Sequence, residues 1–424
     1  MSAGRVVVIG AGPAGLIAAG EAAVGGARTI LLEKNRSAGE KLLLTGKGRC
    51  NLTSSEDDTG SFLAKFGHNG KFLYSVFSRF GPSETMDFFR SLGIELSIER
   101  GRRVYPASGD ARDVLDALLR RACSGGAEVR CGAGVLDVEI NDGRIRRLIT
   151  SNGTVEGDAF VLCTGGKSFP KTGSTGDGYR LASKAGHTIV PPVPALCPVT
   201  TVERWPRCAW GLTLRNVSLV LRQGGRVLAD RFGELLLTKF GISGSIAMDM
   251  SKEIAAALNS GEAELIIDLK PALSEDVLCR RIKRDFEKFS GRVLKDSLGD
   301  ILPADFIPAF LRSVRIPEVA RVDGIGNDAI SEIASALKGY RLTPKGLLGF
   351  DWAIVTAGGV ALDEIDPRSM RSKIAENLFF AGEIIDIDGP TGGFNLQMCW
   401  STGFQAGRSA VDYACPGRRK WGKE

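Results

Sequence analysis

Residues 6–33 confine this chain to a narrow set of folds, because they hold every part of a dinucleotide-binding βαβ unit in one short segment. The apolar run Val6-Val7-Val8-Ile9 predicts a buried parallel strand. Gly10, Gly12 and Gly15 follow at GxGxxG spacing, with Pro13 and Ala14 between the last two. That spacing supplies a tight turn, close backbone approach to a pyrophosphate, and helix-to-strand packing. The helix it opens turns its unpaired N–H groups and positive dipole end toward the phosphates. A second strand, Thr29-Ile30-Leu31-Leu32, ends at Glu33. A carboxylate there accepts hydrogen bonds from ribose hydroxyls and argues against a 2′-phosphate. Three glycines alone would suit any Gly-rich strand-to-helix turn; agreement of strand, glycines, helix, second strand and acid makes the pattern specific. Met1 to Arg5 hold no separate apolar stretch, so no signal peptide is expected.

Composition narrows the class further. A length of 424 residues suggests two or three domains, and 43% hydrophobic with 25% charged residues is ordinary for a globular chain. No run of 18 or more uncharged apolar residues appears, so neither a span nor stable membrane association is expected. The nine cysteines are scattered without a CxxC pair, which disfavours a metal site or a disulfide framework and fits reduced thiols in a cytoplasmic protein. The net charge of +6 is spread along the chain, with one dense cluster at Arg418-Arg419-Lys420-Trp421-Gly422-Lys423. A solvated terminus is the simpler reading of that tail than a nucleic-acid or membrane contact. There are two histidines. His68 lies in a Gly-flanked polar stretch, and His187 follows Gly186 near a helix end, where a solvated or capping side chain is expected.

Along the chain, the first 190 residues read as α/β. The stretch after Glu33, GEKLLLTGKGRCNLTSSEDDTG, is too polar and Gly-broken to be a core element. Residues 71–92 read as an amphipathic helical region and Ala111–Cys123 as a helix. Residues 127–149 carry strands with an Asn141-Asp142-Gly143 hairpin turn, and Asp158–Cys163 is a buried strand. At Pro191-Pro192-x-Pro194 the composition changes, as at a domain boundary. Short alternating strands to about Leu269 suggest a small β-barrel or antiparallel sheet, and Pro271–Leu337 is helix-like. The strand pattern returns from Phe350. The first domain is therefore discontinuous, residues 1–190 and 346–424, with an insertion of a β-barrel-like part (191–270) and a helical part (271–345).

Further candidate sites cluster at strand ends, where an open α/β sheet binds its ligands. In the loop after Glu33, Thr45, Gly46, Gly48, Cys50 and Asn51 permit close backbone approach, while Lys41 and Arg49 can offset a diphosphate's charge. Thr164, Gly165 and Gly166 follow the Asp158–Cys163 strand. The run Asn377–Phe380 leads into Gly382 and Glu383, whose carboxylate can accept from ribityl hydroxyls. Asp388 and the Gly392-Gly393-Phe394-Asn395 helix start come next, suited to present N–H groups to the electron-rich edge of a reduced isoalloxazine. Together these residues point to FAD. It is expected to be non-covalent, since neither histidine falls within the motifs. Cys399 reads as packing.

Five motifs, GAGPAGL at 10–16, KLLLTGKGRCNLT at 41–53, CTGGKSFPKTGSTGDGY at 163–179, LLLTKFGISGS at 235–245 and AGEIIDIDGPTGGFNLQ at 381–397, make the chain resemble the BaiN-like, or YhiN-type, FAD-dependent flavoproteins nearly end to end. That family includes NAD(P)/FAD-dependent oxidoreductases and aminoacetone-oxidase-type enzymes. The resemblance implies an α/β fold: a glutathione-reductase-type, Rossmann-like FAD-binding domain with an inserted β-barrel plus helical subdomain. It also implies cofactor contacts at Lys34 and Val135 beside those above. The family's Thr-His-x-Gly-x-Ser-Gly-Pro is Thr238-Lys239-Phe240-Gly241-Ile242-Ser243-Gly244-Ser245 here, so no role of that histidine carries over and the catalytic residues stay unassigned.

The expected activity is hydride transfer through flavin N5 to or from a small organic substrate; the resemblance implies either reduction of an activated C=C bond or oxidation of an amine. No second GxGxxG unit is visible, so NAD(P)H is expected at most as a transient donor. An RNA-modifying or RNA-binding flavoprotein is the alternative, motivated by Arg280-Arg281-Ile282-Lys283-Arg284. Glu275, Asp276, Asp285 and Glu287 are interleaved there, which favours a solvated face and no nucleic-acid partner. Nothing in the sequence sets the oligomeric state.

Overall fold

The run of β-branched residues that opens the chain forms the middle of a five-stranded parallel sheet. The computed structural model describes residues 4–314, 316–317 and 319–416, so the basic cluster at 418–423 lies outside the described residues. Strands β1 (Arg5–Ile9), β2 (Arg28–Leu32), β3 (Glu128–Arg130), β4 (Ala159–Leu162) and β5 (Leu378–Phe380) stand in the order β5-β4-β1-β2-β3. Val8 pairs with Leu31 on one side and Val161 on the other, and Val6, Val7 and Val8 are fully buried. Parallel strands covered on both faces need such unbroken apolar runs. Helix α1 (Pro13–Val24) packs against α2 (Ala111–Ser124) and α4 (Phe394–Ala414), while α3 (Asp177–Lys184) follows the loop after β4.

The three packed helices share one buried charge. Glu21 is 0% exposed and receives hydrogen bonds from Arg121 Nη2 at 2.5 Å and Arg408 Nε at 2.9 Å, so one carboxylate ties α1 to α2 and α4. A second polar clamp joins β5 to the hairpin of residues 135–150: the Asn377 amide donates to the Ile145 carbonyl and accepts from its N–H, both at 2.9 Å.

The chain divides into two compact units, residues 1–194 with 354–424, and residues 195–353. The second unit holds a seven-stranded antiparallel sheet in the order Tyr340–Leu342, Glu264–Asp268, Thr213–Gln223, Arg226–Leu237, Gly241–Ser243, Val199–Thr201, Pro344–Leu347. The helices Glu275–Lys288, Ile307–Ser313 and Asn327–Lys338 pack with that sheet around one core, in which Leu219, Leu265 and Ile267 meet Leu278, Ile282, Phe310 and Leu337. The expected β and helical parts thus share a core. The chain returns to the sheet at Tyr340 after its helices, which a linear reading of the sequence cannot foresee.

Other local expectations need correction. Pro191–Pro194, at the end of the first unit, lies in a strand, Ile189–Ala195, beside Val355–Val360. Proline's fixed φ suits an extended strand in a two-stranded pair, where its missing N–H costs little. Residues 71–92 are broken at Gly81, where Pro82 begins a new helix and Glu84 accepts from the Gly81 N–H at 3.0 Å. The polar stretch after Glu33 contributes to the core after all, since Leu42, Cys50, Leu52 and Thr53 are all buried. His187 is neither solvated nor capping. It is buried, edge-on to Phe380, with Nδ1 3.1 Å from Glu364 Oε2 and Nε2 2.7 Å from Ser372 Oγ.

Candidate functional site

The C-terminal ends of β2, β1, β4 and β5 form one edge of the sheet, and the candidate residues distribute along it. The turn after β1 shows why its glycines are spaced as they are. Gly10 has φ +98°, and a Cβ there would meet the Cys163 carbonyl oxygen at 2.7 Å; a Cβ on Gly15 would collide with the Gly10 carbonyl at 1.8 Å. By contrast, a Cβ on Gly12 would meet nothing within 4 Å. The middle glycine therefore borders open space directly above the helix start. Pro13 occupies the first turn of α1, and neither a capping side chain nor an acid stands there. Four N–H groups at a helix start have no intrahelical partner, so this open end fits a pyrophosphate.

Glu33 is the neighbouring anchor. It is 9% exposed; its Oε2 accepts from the Ala11 N–H and its Oε1 from the Asn35 N–H, each at 2.8 Å. The carboxylate is thereby aimed at the fingerprint turn, and each oxygen keeps a lone pair for a ribose hydroxyl. Val135 stands at the same end. The Gly132 N–H donates to the Asn35 carbonyl at 2.7 Å and the Ala133 N–H to that of Glu33 at 2.8 Å, which seats residues 132–135 beside β2. Lys34 reaches the other way, donating to Thr175 Oγ1 and to Asp177 Oδ2, both at 2.7 Å, so it braces the start of α3. That pairing helps hold the Asp177 carboxyl below the usual range against the opposing effect of its burial.

Past β4, Thr164, Gly165 and Gly166 lead into a buried polar network that the sequence did not reveal. Glu383, at the end of β5, accepts at Oε1 from the Thr356 N–H (2.8 Å) and the Ser168 hydroxyl (2.9 Å), and at Oε2 from Lys41 Nζ (2.9 Å). Lys41 also donates to Ser168 Oγ at 2.8 Å. The Thr356 hydroxyl accepts from the Lys167 and Ser168 N–H groups at 2.8 and 3.1 Å. Gly166 leaves room for all this, because a Cβ there would lie 2.4 Å from Thr356 Oγ1. Ser168 and Thr356 are the residues that motif reading missed; a hydroxyl inside an otherwise apolar strand, as Thr356 is, was the available signal. Lys41, expected to offset a diphosphate, is engaged at the far end of the edge.

The rest of the loop after β2 divides its roles. Thr45 turns its hydroxyl back to the Leu42 carbonyl at 2.7 Å, and Gly46 and Gly48 adopt positive φ. Arg49 pairs with Glu99 and lies over the Tyr105 ring, so its charge is spent within the protein. Cys50 points into the core, and burial pushes its thiol up to about 12. With its amide turned to suit its neighbours, Asn51 donates to the Val104 and Thr53 carbonyls and accepts from the Gly393 N–H at 3.1 Å. That contact docks the loop on the start of α4, and Trp400 Nε1 adds a second by donating to the Leu52 carbonyl at 2.9 Å.

At that start, Gly392 and Gly393 both have positive φ, and a Cβ on Gly393 would lie 2.5 Å from the Thr53 backbone. Asn395 closes the preceding turn, accepting from the Gly389 N–H and donating to its carbonyl, both at 2.8 Å. Asp388 is half-buried in that turn. Phe394 belongs to the core, 4.7 Å from the Phe62 ring. The Gly382 N–H donates to Thr402 Oγ1 at 3.0 Å. Burial raises the Cys163 thiol and pushes that of Cys399 up to about 12, so both are inert packing groups. Among the described residues no group of three or more His, Cys, Asp or Glu is poised for a metal ion, and no helix is long and apolar enough to cross a membrane.

His187, Glu364 and Ser372 stand in a row that looks like a nucleophilic triad, but Ser372 Oγ also accepts from the Ile374 and Ala375 N–H groups at 3.0 and 2.7 Å. Its lone pairs are occupied and it is buried, so the row is a structural clamp.

The chain is similar to known proteins along most of its length. The model of the HI0933-like protein Rossmann domain matches residues 4–409. The chain is 33% identical over 415 residues to a 3-dehydro-bile acid delta(4,6)-reductase of Clostridium scindens, covering 96% of this chain and 99% of that protein. It is 27% identical to a ribosomal RNA dihydrouridine synthase of Escherichia coli K12, over 96% of this chain and 97% of that one. Among solved structures, the open conformation of a flavocytochrome c3 fumarate reductase shares the fold, with a TM-score of 0.55, 17% identity, and coverage of 98% of this chain and 79% of that one.

Proposed function

This chain belongs to the HI0933-like Rossmann-domain family and is an FAD-dependent oxidoreductase, and from that premise we propose that it reduces a ring C=C bond conjugated to a carbonyl. The observation that carries the cofactor part is the turn at Gly10–Gly15, where the only outward-facing glycine opens onto an uncapped helix start beside Glu33. Support for the reaction part comes from the relatives' names. A delta(4,6)-reductase of a 3-dehydro-bile acid and a dihydrouridine synthase both add hydrogen to a ring double bond conjugated to a carbonyl.

Bound FAD supplies hydride chemistry at N5. The chain's own residues bind and orient. Glu33 and the 132–135 segment take the adenosine end, the α1 start takes the pyrophosphate, and Asn51 and Trp400 dock the loop after β2 on α4. Thr356 and Ser168 hold Glu383 in one orientation at the β5 end. NAD(P)H enters this reading as the external reductant.

The RNA alternative finds no support in the cationic helix that suggested it. Arg281 and Arg284 lie within 4 Å of Asp285, and Lys288 pairs with Asp300 at 3.0 Å. The test is anaerobic. Protein loaded with FAD is reduced photochemically, then mixed with 2-cyclohexenone, a 3-oxo-4-ene steroid, uridine or an rRNA fragment while the flavin absorbance is followed. Reoxidation by an enone with formation of the saturated ketone is the expected result. Reoxidation by none of them, together with reduction of the oxidised flavin by aminoacetone, would replace this reading with amine oxidation.

A further inference from the structure

Lys41 sits where a lone structural cation has little reason to be. Its side chain is 19% exposed and that of its partner Glu383 is 14% exposed, and a pair this deep recovers its desolvation cost only with good geometry and further hydrogen bonds. Glu383 has those bonds, with both oxygens held by Lys41, Ser168 and Thr356. Among the described residues, two of the three Lys41 N–H donors are engaged, by Ser168 Oγ and Glu383 Oε2. The carboxylate is locked and the ammonium has a donor to spare.

The strand order shows which part of a bound dinucleotide this pair would face. Glu33 ends β2 and Glu383 follows β5, with β1 and β4 between them. Three strand steps of about 4.8 Å put the two ends roughly 14 Å apart along the edge. With adenosine at Glu33 and the pyrophosphate at the α1 start beside β1, the β5 end is left for the flavin. Lys41 leaves the same loop as Glu33 yet reaches across the edge to that end.

We propose that Lys41 and Glu383 form a charge-compensated positioning pair that sets the reduction potential of the bound flavin, Lys41 favouring the reduced form and Glu383 opposing it. This rests on the reading of the sheet edge as the FAD site. Two electrons entering the cofactor with one proton add one negative charge. A fixed ammonium nearby stabilises that charge, whereas the carboxylate destabilises it. Together they hold the potential near the value a neutral site would give, while Ser168 and Thr356 keep both charges in place.

The experiment measures the two-electron midpoint potential of the FAD-loaded full chain by dye-coupled spectroscopic titration. Lys41→Met is expected to disfavour reduction on the order of tenfold, about 30 mV downward for a two-electron couple. Glu383→Gln is expected to shift it upward by a similar amount, the double variant K41M/E383Q to return most of the way, and Lys41→Arg to stay near wild type. If Lys41→Met fails to fold, the sign of the Glu383→Gln shift decides the matter alone. Variants that bind FAD with potentials within about 9 mV of wild type, a twofold change, would make the pair a structural brace and overturn the proposal. Wild-type protein that binds no FAD would overturn the cofactor reading and this proposal with it.

Discussion

Replacing Glu33 tests the cofactor site most directly, because the structure separates what the carboxylate does for the protein from what it does for a ligand. Its two oxygens hold the N–H groups of Ala11 and Asn35 at 2.8 Å, in a position 9% exposed. Glu33→Ala frees both donors and removes the acceptor for a ribose hydroxyl. Hydrogen bonds to a charged group contribute about 1.5–3 kcal/mol each. Loss of one ribose contact therefore weakens FAD roughly 10- to 150-fold. The freed backbone donors also loosen the Gly10–Gly12 turn, so the apoprotein loses stability as well. Glu33→Gln distinguishes the two effects. A glutamine keeps one acceptor oxygen, but its NH2 must face the N–H of Ala11 or of Asn35, so it retains part of the stability and little of the ribose contact. Lys239→Ala serves as reference, since Lys239 stacks over Trp210 at 3.8 Å in the second unit. The assay is FAD titration of apoprotein by flavin fluorescence, paired with thermal melting of each apoprotein. An FAD affinity of Glu33→Ala within threefold of Lys239→Ala would refute the assignment of Glu33 to the cofactor.

Three further outcomes are expected. Acid precipitation of FAD-loaded protein releases the yellow colour to the supernatant, and colour retained in the washed pellet would contradict non-covalent binding. Glu21→Ala leaves Arg121 and Arg408 facing a buried gap, and breaking a buried pair costs about 3–5 kcal/mol, seen as a fall of roughly 6–20 °C in Tm by calorimetry; a fall under about 3 °C would show the clamp to be dispensable. Burial holds His187 below its ordinary pKa of 6.5 despite the opposing pull of Glu364. Its contribution to stability is complete above about pH 6.5 and is lost as pH falls through the lower folded-state value, because the unfolded chain binds the proton first. The urea midpoint of wild type should therefore fall between pH 7 and 5.5, with a shallower fall in His187→Gln; equal slopes would remove His187 as the cause.

The βαβ geometry proposed for the adenosine half of the site was legible in the chain because its parts are contiguous. A buried strand, a turn that only glycines can make, a helix start and a second strand ending in an acid all fall within residues 6–33, where periodicity and backbone sterics act over short range. The same holds for the Asp142-Gly143 hairpin, whose positive φ values are a property of the turn itself. Side-chain partnership was not legible, since apolar patterning says that a residue is buried but not beside what. Lys41 and Glu383 are 342 positions apart and meet because β5 joins the sheet beside β4, which brings their strand ends to one edge. Glu21 reads as one more polar residue in a helix until α2 and α4 deliver Arg121 and Arg408 to it. His187 lost its expected exposure in the same way, when Phe380, Ser372 and Glu364 closed over it. The local chain determined the glycine turn and the open helix start; the order of the strands, a non-local property, decided which charges stand at the other end of the sheet edge.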